Sequence, residues 1–129
     1  MLLNSAKPGD YPAILAHIEE TDESNRMFER LRHKVIERTG IATTLGYGPR
    51  YLHCTGPLHK AGPVSGLILE VTTGDSNDVD LPGEPYSLKA LADAQSAGDG
   101  SALRAANRRF ARVVLENVSD LHSLEQELE

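Results

Sequence analysis

Apolar runs of strand length alternate with amphipathic stretches along this chain. Tyr11–Ile18, YPAILAHI, is a short and mostly apolar strand pattern, followed by the acidic turn EETDES. Asn25–Arg38 then carries Met27, Phe28, Leu31 and Val35 at helical spacing. Ser24 or Asp22 is placed to cap this helix, and Thr39-Gly40 to stop it, with Arg38 at the favourable end of the helix dipole. Ile41–Leu45 reads as a second strand, giving a β-α-β unit whose default is a right-handed parallel crossover.

Gly46-Tyr47-Gly48-Pro49 breaks that strand, and a Gly-rich segment runs on to Pro63. Gly66–Thr73, GLILEVTT, is a nearly continuous apolar run that suits a strand covered on both faces. A polar, acidic surface loop, GDSNDVDLPGEP, precedes two helices, Ser87–Ala97 and Gly100–Asn117, broken at Gly98-Asp99. The second helix buries Leu103, Ala106, Phe110, Val113 and Val114, and keeps Arg104, Arg108, Arg109 and Arg112 outside or at the rim. The pattern predicts a lead-in at 1–10, an α/β domain at 11–118 and a tail at 119–129. Its small parallel sheet, of about three strands, is flanked by helices. Such a sheet exposes unpaired edges, so it is expected to pair with a second copy of itself or with a companion chain.

Composition narrows the class. The chain has 129 residues, enough for one domain with a modest core, and is 40% apolar and 25% charged. A net charge of −6 argues against nucleic acid and anionic membranes as partners, since both need a basic field. MLLNSAKPGDYP reaches Pro8 and Asp10 too soon for a signal-peptide core, and no run approaches a spanning helix. The lone Cys54 forms no internal disulfide. A cytoplasmic protein is the expectation.

The chemistry concentrates in Thr43–Pro63, TTLGYGPRYLHCTGPLHKAGP. From Arg38 to Leu69 there is no Asp or Glu, while Arg38, Arg50 and Lys60 give a local positive surplus in an acidic chain. A Gly-rich window cleared of carboxylates suits a small anion, which like-signed side chains would repel. The segment leaves the carboxyl end of a strand, where parallel sheets bind ligands.

Within it, Lys60 and Arg50 read as phosphate ligands or as solvated surface charges. His59 and His53 are proton carriers near neutral pH, or packing and surface residues. Thr43, Thr44 and Thr55 supply hydroxyls to a sugar or phosphate, or serve ordinary strand and turn roles. Cys54 reads better as a small packing residue than as a nucleophile, since its neighbour His53 points the other way on an extended segment. His53, Cys54 and His59 lack the spacing and the fourth ligand of a zinc site, so no metal is expected. The glycines match neither a phosphate loop nor a dinucleotide fingerprint, and no cofactor is implied.

ATTLGYGPRYLHCTGPLHKAGP, GLILEVT, LPGEPYSLKALADAQSAGD and ALRAANRRFARVVL together resemble the C-terminal region of phosphoglucose isomerase, as fused in bifunctional transaldolase/phosphoglucose isomerases. The resemblance runs from Tyr11 to about Leu115. It implies a sugar-isomerase (SIS)-like half sandwich, the second of two such subdomains. It also implies interconversion of aldose and ketose phosphates through an enediol, by general acid/base chemistry on a phosphate-anchored sugar. Lys60 corresponds to the family's C-terminal lysine, which assists ring opening or stabilises charge, with His59 beside it. Arg50, Thr43, Thr44, Thr55 and Gly56, singled out by their chemistry in the same segment, are the candidate substrate contacts.

The family's run is H-S-T-G-Q-L-H-K-G-G-P-N, whereas this chain has Cys54, Pro57, Ala61 and Val64 at four of those positions. Pro57 removes an amide side chain and a backbone donor. The family's glutamate base and phosphate-binding cluster lie upstream of the matched region, so isomerisation needs a partner, a companion isomerase or transaldolase chain. The alternative is a non-catalytic sugar-phosphate-binding or regulatory module with a decayed site.

Overall fold

A computed structural model describes residues 2–74 and 77–127. Met1 of the lead-in, Asp75 and Ser76 of the acidic loop, and Leu128 and Glu129 of the tail lie outside the described residues. Four strands, β1 (Tyr11–His17), β2 (Thr44–Tyr47), β3 (Gly66–Thr73) and β4 (Arg109–Leu115), pair in the order β2-β1-β3-β4, every pairing parallel. Helices α1 (Asp22–Thr39), α2 (Gly56–Ala61), α3 (Leu88–Ala105) and α4 (Leu121–Gln126) connect and cover them, with 3-10 turns at Leu2–Ser5, Arg50–His53 and Val118–Asp120. The sheet thus has four strands where the sequence pattern implied about three.

Two apolar layers sandwich the sheet because successive side chains point to opposite faces. Ile14, Ala16, Val71 and Leu115 pack beneath Met27, Phe28 and Leu31 of α1 and Leu121 of α4. Ala13, Leu15 and Ile68 pack on the other face against Tyr51 and Leu103 of α3. The result is an α/β half sandwich, a four-stranded parallel sheet with helices on both faces.

α1 keeps the expected buried stripe of Met27, Phe28, Leu31 and Val35, but it begins earlier, capped by Thr21 rather than by Ser24 or Asp22. Ser24 N–H donates to Thr21 Oγ1 (3.1 Å) and Thr21 N–H donates to Ser24 Oγ (2.9 Å), a reciprocal box that satisfies two orphan donors. Gly40 closes the helix in the left-handed conformation, φ 68°. β2 lies at Thr44–Tyr47, not Ile41–Leu45, and Gly46 continues the strand instead of breaking it. The glycine is needed because a Cβ there would stand 2.7 Å from Tyr51 Cβ.

The C-terminal third departs most from expectation. The two helices Ser87–Ala97 and Gly100–Asn117 do not exist as such: one helix, α3, passes through Gly98-Asp99-Gly100, and the tract beyond it is strand β4. Asn107, at φ 53°, ends the helix, its N–H donating to Arg104 O at 2.9 Å. β4 then pairs with β3 from Leu67↔Arg109 to Thr73↔Leu115.

Candidate acid-base site on the α3 face

The strand order reverses between β1 and β3, and on the α3 face a polar network replaces the apolar core toward the carboxyl ends of these strands. Its centre is Glu70, fully buried in the middle of the sheet. Arg112, its register partner on β4, donates Nε to Glu70 Oε2 at 2.7 Å, and Ser96 Oγ donates to Oε1 at 2.6 Å. Arg112 Nη2 also donates to the Ser96 carbonyl at 2.8 Å, tying α3 to the sheet.

His17, the last residue of β1, places Nε2 3.4 Å from Glu70 Oε1 and 3.2 Å from the Tyr51 hydroxyl. The Tyr51 hydroxyl donates to Asp99 Oδ2, so its oxygen accepts from His17. Neutral His17 therefore carries its proton on Nε2, and Nδ1 has no partner among the described residues. Burial pushes the His17 imidazole below its ordinary value, against the opposing pull of Glu70. Burial, and then the carboxylate of Asp99, push the Tyr51 phenol far up.

At the outer end of this chain, Asp99 forms an ion pair through Oδ1 with Lys60 Nζ. Asp99 is buried, while the Lys60 side chain remains 34% exposed. The lysine is thus one of the points at which the network meets solvent, Arg112 being another.

The residues singled out from the sequence are not gathered into one pocket. His59 is buried and points to the amino end of β1, where Nδ1 lies 3.0 Å from the Tyr11 hydroxyl. Burial lowers its tendency to protonate. Adjacent on α2, His59 and Lys60 thus have separate partners. Arg50 is exposed and pairs with Glu20 in the β1–α1 connection. Thr43 accepts a hydrogen bond from Arg32 Nε at 2.9 Å and its carbonyl one from Nη2, both serving α1. Thr44 and Thr55 are exposed, as are His53 and Cys54. Buried Gly56 allows the close start of α2, since a Cβ there would stand 3.2 Å from the Tyr51 carbonyl. Pro57 sits in the first turn of α2, where the missing N–H is tolerated.

The acid-free window is therefore not acid-free in space: Asp99 comes to Lys60 and Glu20 to Arg50 from outside it. Sequence reasoning passed over His17, Glu70, Tyr51 and Asp99. The available signal was a lone ionisable residue inside an apolar strand, as in GLILEVTT, which must be paired to be buried.

A comparison with protein-family models found none that matches this chain, and a comparison with curated proteins found no match either. Among solved structures, the fold is similar to that of hypothetical protein TT0462 from Thermus thermophilus, with a TM-score of 0.73 at 16% sequence identity. The likeness covers 92% of this chain and 33% of that one, so this chain spans about a third of the structure it matches. At that identity the fold alone is shared.

Proposed function

We propose that this chain is an isomerase-derived sugar-phosphate domain that acts on aldose and ketose phosphates when a partner supplies the glutamate base and the phosphate pocket. The observation that carries this reading is the Lys60 ammonium, paired with buried Asp99, at the position that the resemblance matches to the family's C-terminal lysine. A fixed ammonium such as Lys60 suits stabilisation of negative charge at a sugar oxygen. His59 suits a supporting role through α2, because its ring is turned inward to Tyr11. The partner is a second copy or a companion isomerase or transaldolase chain.

The test is an amide NMR titration with fructose 6-phosphate, followed by an isomerase assay with the companion chain present. Shifts centred on α2, lost in Lys60→Ala together with activity of the reconstituted complex, are the expected result. A complex whose activity ignores Lys60→Ala would end the catalytic reading.

A non-catalytic sugar-phosphate-binding or regulatory module is the second reading. It is favoured by Pro57 at the family's glutamine position and by the engagement of Arg50 with Glu20. Ligand shifts on α2 with no activity in any complex would select it.

A further inference from the structure

Asp99 occupies an expensive position. A carboxylate on the buried side of a helix interior receives no backbone donors from its own helix, and it is retained only where specific partners compensate it. Its two oxygens differ: Oδ2 accepts from the Tyr51 hydroxyl, while Oδ1 accepts no hydrogen bond among the described residues and is compensated by the charge of the Lys60 ammonium, with which it forms an ion pair. Gly100, the next residue, brings α3 down to this level. A Cβ there would lie 2.8 Å from Arg112 Nη2 and 3.1 Å from Phe110 Cζ.

The backbone of Lys60 is fixed independently. Arg108, just beyond α3, donates Nε (3.1 Å) and Nη2 (2.6 Å) to the Lys60 carbonyl, and Nη2 also reaches the Gly62 carbonyl at 2.8 Å. The lysine is thus pinned at its carbonyl by Arg108 and paired at its ammonium with Asp99, with about a third of the side chain, 34%, open to solvent.

We propose that Asp99 is the positioning residue for Lys60, with Tyr51 orienting its carboxylate, so that the ammonium is presented as a fixed cation to a phosphorylated sugar. The inference rests on the sugar-phosphate reading of Lys60 and adds the residues that aim it. Asp99 does not touch the sugar; it acts on the opposite side of Nζ. A flexible lysine must lose rotamer freedom when it engages a ligand, and ordering it beforehand removes that cost from binding.

The test uses the full chain and the rate at which acetic anhydride acetylates Lys60 at pH 8, read by mass spectrometry against Lys7 as internal reference. Asp99→Asn preserves the shape and an acceptor for Tyr51 while removing the charge. Lys60 is expected to acetylate severalfold faster in Asp99→Asn and at the wild-type rate in Asp93→Asn, which breaks only the exposed Lys89 pair. Fructose 6-phosphate is expected to protect Lys60 in the wild type and to protect it less in Asp99→Asn.

Equal acetylation of Lys60 in wild type and Asp99→Asn overturns the positioning role, whatever the sugar does. Faster acetylation without sugar protection in the wild type upholds the positioning role and overturns sugar-phosphate binding by this chain without its partner. If circular dichroism shows that Asp99→Asn is unfolded, Tyr51→Phe takes its place: faster Lys60 labelling supports the role, and an unchanged rate overturns it.

Discussion

The imidazole of His17 lies directly against the Cα of Gly48, where a Cβ would come within 2.4 Å of the ring. The ring has nowhere to go, because Nε2 is engaged by Tyr51 and Glu70. Gly48→Ala is therefore expected to destabilise the fold by about 1–3 kcal/mol, the usual range for overpacking a close-packed interior. Urea denaturation monitored by circular dichroism would show the lowered midpoint; an unchanged midpoint would mean that the ring is not locked.

Glu70 anchors three side chains from β1, α3 and β4. Glu70→Ala leaves Arg112 Nε and Ser96 Oγ without the carboxylate they donate to, and is expected to cost about 3–5 kcal/mol. Glu70→Gln retains acceptor capacity and should cost less. Equal losses for the two variants would argue that packing volume, not charge pairing, is what the site requires.

The two glycines of α3 should respond with opposite signs to the same substitution. Gly98 is exposed and a Cβ there meets nothing within 4 Å, so Gly98→Ala should stabilise by about 0.5–1 kcal/mol through the unfolded chain and helix propensity. Gly100→Ala drives a methyl into Arg112 and Phe110 and should destabilise despite the same propensity gain. Thermal melts of the pair decide this, and two stabilised variants would show that α3 does not lie as close to β4 as described.

Stability should fall toward both acid and alkali. His17 and His59 have folded-state values below the ordinary 6.5 because of burial, so the unfolded chain binds more protons as pH drops. Their contribution is complete above that value and is lost as pH falls through it. Asp10, held down to about 2 by the Arg109 guanidinium, adds a separate loss between its ordinary 3.8 and that value.

At the other end, burial raises Tyr11, Tyr47 and Tyr51 above 10.0, so the unfolded state releases protons first and stability falls as pH rises through that point. Urea midpoints from pH 2 to 11 at constant ionic strength, with phenolate absorbance at the alkaline end, would test both limbs. A flat acid limb above pH 5 would contradict the burial of the two imidazoles.

The elements legible in the sequence are those whose pattern is apolar on a single period. α1 shows its stripe plainly, and β1 and β3 are apolar runs of strand length. β4 was not legible, because Leu103, Ala106, Phe110 and Val113 fall at helical spacing across what is in fact a helix end followed by a strand. The strand alternation is masked by Arg112, which faces inward to Glu70. A buried ion pair breaks the polar-out rule on which periodicity rests. Asn107, a residue that tolerates the left-handed conformation, was the local sign of the boundary.

The candidate site was legible only in part. Lys60 stood out by composition, but its partner lies 39 positions later on a separate helix, and nothing local to either residue announces the pairing. Glu70 differs in that a carboxylate inside an apolar strand announces its own need of a partner, although nothing in LILEVTT says that the partners are Arg112 and Ser96.

The Arg108 clamp on the carbonyls of Lys60 and Gly62 has a consequence for the order of assembly. Helix α2 is only six residues long, too short to persist alone in water. His59 joins it to Tyr11 of β1, but the two ties on Lys60 itself, at Arg108 and Asp99, both come from chain made later. Lys60 therefore acquires its address only after α3 and β4 have docked on the sheet. Native-state hydrogen exchange should find α2 opening with the α3–β4 unit rather than as a loop of its own, making the site a readout of whether the last strand is in place.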